Sequence, residues 1–395
     1  MALFGNIVIY IIIGCAVVGA AASILKPESE LGEQFIEGLN SIGPLFMTIA
    51  GIFAAIPFLA IFIELVLGKA FGALGADPSM GAGALLAVDM GAYKLTEVTA
   101  ATPASWMVSV ITSYMLGATI VFTIPVGLGM IESGDQEYFG LGIMSGILCI
   151  PVGIFISGLI MILSNPEIPE STVFNDTAQL DLGYMELLLN LIPIIIICLL
   201  IALGLFFLPK AMIKGFTGFG KFITVSARIV LVFCIVEYFT GMFSAIMGKW
   251  AFDPIVADEI DMMRALEVSG YIGMMLAGAF PMVYLIKRYL KKPMGKLGNL
   301  LGMGEEAMTG LLGALANALA LFPIVKEMKP SDKVKTISFT VCGAYIIGDH
   351  LSFAATFHPA FILPLFLGKL LAGILSIVIS GFIYRLYCRK TGVQI

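Results

Sequence analysis

The sequence predicts an all-α integral membrane protein: about nine crossing helices plus two re-entrant half-helices, built on an inverted internal repeat. Three observations carry this expectation. Long apolar stretches recur along the whole chain, basic residues gather at alternate ends of them, and segments of the first half reappear in the second at a fixed offset.

The apolar stretches come first. Of 395 residues, 59% are hydrophobic and only 12% charged, with a mean hydropathy of +1.02, whereas a soluble domain carries about 25% charged residues. Apolar runs fall at residues 4–25, 39–63, 104–130, 139–163, 185–208, 222–247, 269–286, 334–357 and 360–384. Crossing a ~30 Å hydrocarbon core takes about 20 helical residues. Backbone groups in lipid have no water to bond and the runs lack the alternation of a barrel strand, so they read as helices. The first run lacks a basic start and a small-residue cleavage site, and is expected to be a retained span rather than a signal peptide.

Composition also excludes several classes. The net charge of −5 lies in acidic loops, which gives no basic footprint for nucleic acid. The six cysteines form no CxxC pair, and five lie in apolar runs. There a cysteine behaves as a small hydrophobe, so neither a disulfide framework nor a zinc site is expected. No phosphate loop, nucleophile–base arrangement or metal-ligand cluster occurs, so no metal, cofactor or catalytic residue is expected; the chain reads as no enzyme.

Basic residues set the topology. Lys210, Lys214 and Lys221 mark one inner loop, Lys287, Arg288, Lys291, Lys292 and Lys296 a second, and Arg385, Arg389 and Lys390 place the C-terminus inside. Residues 164–184 and 249–261 are acidic and nearly free of Lys and Arg, and so face outward. The lysines of 326–335 put that loop inside as well. Both ends of the apolar segment 305–325 then lie on one side, so it enters and returns. Residues 79–90 are half a span long and form the corresponding element of the first half.

Met47-Thr-Ile-Ala-Gly-Ile-Phe53 matches Met274-Met-Leu-Ala-Gly-Ala-Phe280 at an offset of 227 residues, which also superposes Gly75 on Gly302 and Gly83 on Gly310. Tyr114, Gly117 and Phe122 match Tyr345, Gly348 and Phe353 at an offset of 231. The expected organisation is a first span and loop at 1–38, repeat 1 at 39–163, linking helices and loops at 164–263, and repeat 2 at 264–395, in one membrane domain. Inverted repeats with interrupted helices are the architecture of many secondary transporters, with the substrate site between repeats near mid-membrane. The bland alternative is a duplication that merely enlarged a bundle.

An ionisable group deep in lipid costs about 2.5–3.5 kcal/mol on insertion scales, so each one needs a reason. Asp77-Pro78-Ser79 suits a helix start and Gly91 a stop, which puts Asp89 at the C-terminal end of a half-helix. A carboxylate among those free carbonyls calls for a cation; near the surface it would simply touch water or Lys94. Asn317 falls at the matching point of the second half-helix, with donors and an acceptor for a neutral hydroxyl, though a lone Asn also serves to glue helices together. Asp349 and His350 adjoin one another in an apolar run and align with Ala118 and Thr119. They read as a site between the halves and a proton relay, or as a pair that satisfies itself. Glu267 pairs with Arg264 on a helix surface or guards the outer mouth. Glu64 is expected at the outer interface, and Arg228 and Glu237 as structural partners across the bundle. Tyr93, Trp106 and Phe353 are candidates for cation–π contacts.

These stretches also carry a family resemblance. Leu86-Ala-Val-Asp-Met-Gly91, Gly117-Ala-Thr-Ile-Val-Phe-Thr-Ile-Pro125, Arg264-Ala-Leu-Glu-Val268, Leu315-Ala-Asn317 and Gly348-Asp-His-Leu-Ser-Phe-Ala-Ala355 resemble signature segments of the EutH-type ethanolamine transporters. The likeness spans nearly the whole chain. It implies a multi-pass permease of the bacterial inner membrane that takes up ethanolamine, a small ammonium with a hydroxyl. Carboxylates at helix C-termini would then hold the ammonium, and Asn317 or Thr119 the hydroxyl. The alternatives are a transporter of another small cationic or neutral solute and a membrane-embedded enzyme; Asp89 and Asp349 superficially suggest an intramembrane aspartyl protease, but neither has its sequence setting.

Overall fold

A computed structural model describes residues 2–85, 91–171 and 176–391. The chain opens with a lipid-facing helix, α1 (Ala2–Leu25), and a short amphipathic one, α2 (Glu30–Asn40). The loop expected after the first span, within 1–38, is therefore largely helical. Ser29 accepts a hydrogen bond from the Gly32 amide, and Glu30 and Glu33 stand in the first turn, where helix ends favour negative charge. A bend at Ala55 divides α3 (Ile42–Ala54) from α4 (Ile56–Phe62), which continues through a π-helical turn at Ile63–Gly68 into α5 (Lys69–Ala73).

The segment expected to form the first half-helix holds α6 (Ser79–Leu85), buried from Ser79 to Ala84. Its predicted cap forms: the Asp77 carboxylate accepts from the Ser79 amide at 2.9 Å and the Ser79 hydroxyl at 2.6 Å. Residues 86–90 lie outside the described residues; Gly91 does not stop a helix as expected but is itself helical, in α7 (Gly91–Thr99). The central helix follows: α8 (Pro103–Thr112), two π-helical turns at Ser113–Gly117 and Thr119–Thr123, and α9 (Ile124–Met130). This span is buried over 94% of its apolar window, against 11% for Leu3–Leu25. It is the axis of the bundle.

Around it stand α10 (Gln136–Ile147), α11 (Ile150–Ser164), α12 (Tyr184–Phe207), α13 (Pro209–Thr240) and the short α14 (Met242–Met247). Between α11 and α12, β1 (Glu167–Pro169) and β2 (Thr177–Gln179) pair antiparallel as a small ribbon. The second half runs through α15 (Ala265–Leu301), α16 (Glu305–Ala316), two 3-10 turns at Ala318–Ala320 and Phe322–Glu327, α17 (Pro330–Gly343), α18 (Asp349–Phe357) and α19 (Ile362–Thr391).

Among the described residues, nine helical stretches are long and apolar enough to cross a membrane. Their membership differs from the expected set. The run 334–357 is no continuous helix but breaks between α17 and α18, while 30–54 and 56–73 each qualify by themselves.

Candidate functional site

The break between α17 and α18 is matched by one at the end of α16, and the two meet. α16 stops at Asn317, whose backbone turns extended (φ −155°, ψ 128°) and whose Oδ1 accepts from the Leu319 amide at 2.9 Å. α17 stops at Gly343, and the chain passes through Tyr345 at φ 65°, a left-handed conformation costly for a bulky residue. There the Tyr345 amide donates to the Ala314 carbonyl at 3.0 Å, and the Ile347 amide to Leu315 at 2.9 Å. The free carbonyls at the end of α16 are thus satisfied by the unwound segment of its neighbour.

This crossing brings Asn317, Asp349 and His350 together. Asp349 stands in the first turn of α18, the end of a helix that favours a negative charge. That corrects the expectation of carboxylates at helix C-termini for this residue. His350 is fully buried, its ring 4.6 Å from that of Tyr114 and 5.0 Å from that of Tyr345. Thr119 stands on the central helix beside α17. Its hydroxyl is directed to the Met115 carbonyl at 2.6 Å and the Val341 carbonyl at 3.2 Å. Asp89 lies outside the described residues.

Glu267 stands apart from this crossing. Its Oε2 accepts from the Ala257 amide at 3.0 Å and so braces the loop before α15. The expected pair with Arg264 does not form, because Arg264 precedes the helix and turns back into the loop. Its guanidinium donates to Asp258 at 2.9 Å and lies 3.7 Å from Asp261 and 3.9 Å from Asp253. Lys94 reaches into the same cluster and pairs with the buried Asp261 carboxylate. Burial pushes the Asp253 carboxyl up from its ordinary value, Arg264 and Lys94 draw it back, and Asp258 adds to the rise. Glu64 is exposed. Arg228 and Glu237 do not pair, since Glu237 accepts instead from the Phe243 and Ser244 amides.

Against the ionic cluster lies a cavity of about 330 Å³. Phe53, Tyr93, Phe353 and Phe357 form its aromatic wall, Lys94 and Thr356 supply polar groups, and Pro169 and Thr177 of the ribbon border it. Such a volume, apolar with a few placed polar groups, suits a small ligand. Of the aromatic candidates, Tyr93 and Phe353 line the cavity, whereas Trp106 stands behind it, donating to the Tyr93 carbonyl at 2.9 Å. The Tyr93 hydroxyl meets His358 Nε2 at 2.5 Å.

Two buried groups escaped the sequence reading. Lys369 on α19 is 1% exposed, and its ammonium donates to the Tyr114 carbonyl in the π-helical turn at 2.7 Å. A single lysine between apolar neighbours in the run 360–384 was the signal for it, by the same cost that singled out the aspartates. The Lys333 ammonium pairs with the Asp135 carboxylate. That pair left no local signal, since its partners are 198 residues apart. Among the described residues, no group of three or more His, Cys, Asp or Glu gathers as a metal site.

Comparison with known proteins follows from the whole chain. A family model described as "Ethanolamine utilisation protein, EutH" matches residues 4–383. The probable ethanolamine permease EutH of Listeria monocytogenes (serotype 1/2a, strain 10403S) is 35% identical over 388 residues, covering 98% of this chain and 95% of that protein. Its Escherichia coli K12 namesake is 39% identical over 355 residues, covering 88% and 84%. The uncharacterized protein YxeR of Bacillus subtilis strain 168 is 33% identical over 368 residues, covering 93% and 91%. No solved structure matches the chain.

Proposed function

Because the chain belongs to the EutH family, we propose that it is a multi-pass permease that carries ethanolamine across the cell membrane by a path between two inverted repeats. The observation that supports this path is the meeting of interrupted helices in the bundle: Tyr345 on Ala314 and Ile347 on Leu315. Unwound backbone at membrane depth is tolerated where protein or a water-filled cavity surrounds it, and transporters build substrate sites from such breaks.

The chemistry suits the substrate. Ethanolamine at neutral pH is an ammonium with a hydroxyl two carbons away. Asp349 and Asp89 supply negative charge for the ammonium, and Asn317 supplies a donor and an acceptor for the hydroxyl. The aromatic wall of the cavity offers ring faces along the approach, which attract a desolvated cation. Glu267 acts at the mouth by holding the loop, and His350 between its two tyrosines adjoins Asp349 in the chain as a group that poises it.

Reciprocal contacts support the inverted repeat. The ring of Phe122 lies 6.3 Å from Tyr345, and that of Phe353 lies 5.8 Å from Tyr114. The offset of 231 carries Phe122 to Phe353 and Tyr114 to Tyr345. Each repeat therefore presents the same residue to the same counterpart, as a two-fold axis requires. Repeat 1 is 39–163, repeat 2 is 264–395, and the C-terminus is cytoplasmic.

The test is uptake of isotopically labelled ethanolamine into proteoliposomes holding the full chain. Saturable entry of chemically unchanged ethanolamine is expected. Conversion to another compound would indicate an enzyme, and entry no faster than into protein-free vesicles would overturn the proposal.

A further inference from the structure

A second cavity, of about 410 Å³, lies between α3, the central helix and α13. We infer that it is the inner vestibule of the same path, from which the ammonium leaves; this rests on the transport function proposed above.

The first ground is its relation to the aromatic cavity. Phe122, Pro125 and Val126 line the second cavity, and Phe353, Thr356 and Phe357 line the first. The repeat offset of 231 carries the one set onto the other, residue for residue. The two cavities also approach one another across a single helix. Ile52 of α3 borders the second and its neighbour Phe53 the first. Successive helical residues point about 100° apart, so α3 at this level is the partition between them.

The second ground is polarity. α13 is an apolar helix that turns Thr217, Lys221, Thr224 and Arg228 to the cavity. These fall at steps of four, three and four residues, which is one helical face. Charged side chains inside membrane segments face a bundle interior or a water-filled cavity. Lys221 and Arg228 have neither an ion pair nor a hydrogen bond among the described residues. The two threonine hydroxyls bond back to Ile213 and Gly220 and leave the cations to set the potential.

That potential gives the vestibule its task. The aromatic cavity has one cation in its lining, Lys94, whose charge is offset by its pair with the buried Asp261 carboxylate, whereas the second has two cations in its lining, Lys221 and Arg228, and no carboxylate there to offset them. An ammonium passing the partition enters a positive field and is held less tightly. The basic face thus favours release over rebinding on the inner side.

Single cysteines at Val126 and Thr224, in a background with the six native cysteines replaced, test the path. A membrane-impermeant thiol reagent should label both from the inner side only, and ethanolamine should slow the reaction. Labelling by a lipid-soluble reagent alone would show a crevice filled by acyl chains and overturn the inference. Labelling needs no transport: inner-side labelling in a protein that carries no ethanolamine would overturn the transport function instead. Arg228→Glu should tighten apparent affinity measured from the inner side about 2- to 10-fold, the effect of reversing one charge in a wet site, and leave the outer side unchanged. Arg228→Gln should shift it the same way by less, and serves should the Glu variant fail to fold. Equal effects on both sides, or none on the inner side, would contradict the vestibule.

Discussion

Gly348 lies against Ala316 so closely that a Cβ built on it would stand 2.0 Å from the Ala316 carbonyl oxygen. The obstacle is backbone at the end of α16, which cannot swing aside as a side chain can. The crossing of the two interrupted helices therefore depends on a missing side chain. Gly348→Ala should lower stability by about 1–3 kcal/mol, the cost of overpacking a tight interior. Thermal unfolding in detergent should show the drop, and Gly129→Ala, at a position with open space around it, should show none.

The Lys94–Asp261 pair gives a second expectation. The two side chains are 10% and 2% exposed, so removing one partner strands a charge away from water. Asp261→Asn should cost about 3–5 kcal/mol. Asp258→Asn, at a side chain that is itself 29% exposed, should cost clearly less. Equal losses in the two variants, read from unfolding midpoints, would mean that Asp261 is not the buried anchor of the loop.

Topology can be tested without substrate. Single cysteines at Lys296 and Lys329, both exposed, should react with an impermeant reagent from the cytoplasmic side alone. Reaction from opposite sides would turn α16 and the 3-10 turns after it into a crossing element and remove the inverted repeat.

Selectivity should follow the charge of the site. Small amino alcohols are expected to compete with ethanolamine for uptake, whereas ethylene glycol lacks the ammonium and glycine adds a carboxylate. Inhibition by glycine equal to that by amino alcohols would argue against a site governed by Asp349 and Asp89.

Much of the fold was legible because lipid imposes a single rule on the backbone, and apolar length then reveals each span. The start of α6 was legible too, since Asp77-Pro78-Ser79 acts locally and the Asp77 carboxylate caps Ser79. Asn317 marked a real helix end. The break at 344–348 was misread as helix although Gly343 and Gly348 bracket it, because the Tyr345 and Ile347 amides that hold it open find their partners on α16, about 30 residues away in sequence. Arg264 was misassigned for the same reason: its carboxylate partners are set by the path of a loop, not by helical spacing. Lys369 was visible and overlooked. Its partner, the Tyr114 carbonyl 255 residues away, was not visible at all.

The most direct measurement of the central claim is ethanolamine uptake by variants that keep side-chain shape and remove charge. Asp349→Asn should weaken apparent affinity about 10- to 100-fold, or roughly 1.5–3 kcal/mol, as expected for loss of a charge-assisted hydrogen bond, and Asp89→Asn should do likewise. If Asp349 acts only through His350, affinity should hold while the pH profile of uptake shifts. Glu64→Gln, at an exposed position, should leave uptake unchanged. The double variant Asp89→Asn, Asp349→Asn should insert and fold yet show no saturable uptake at concentrations that saturate the parent protein. Normal saturable uptake by that double variant would contradict a carboxylate site at the helix crossing.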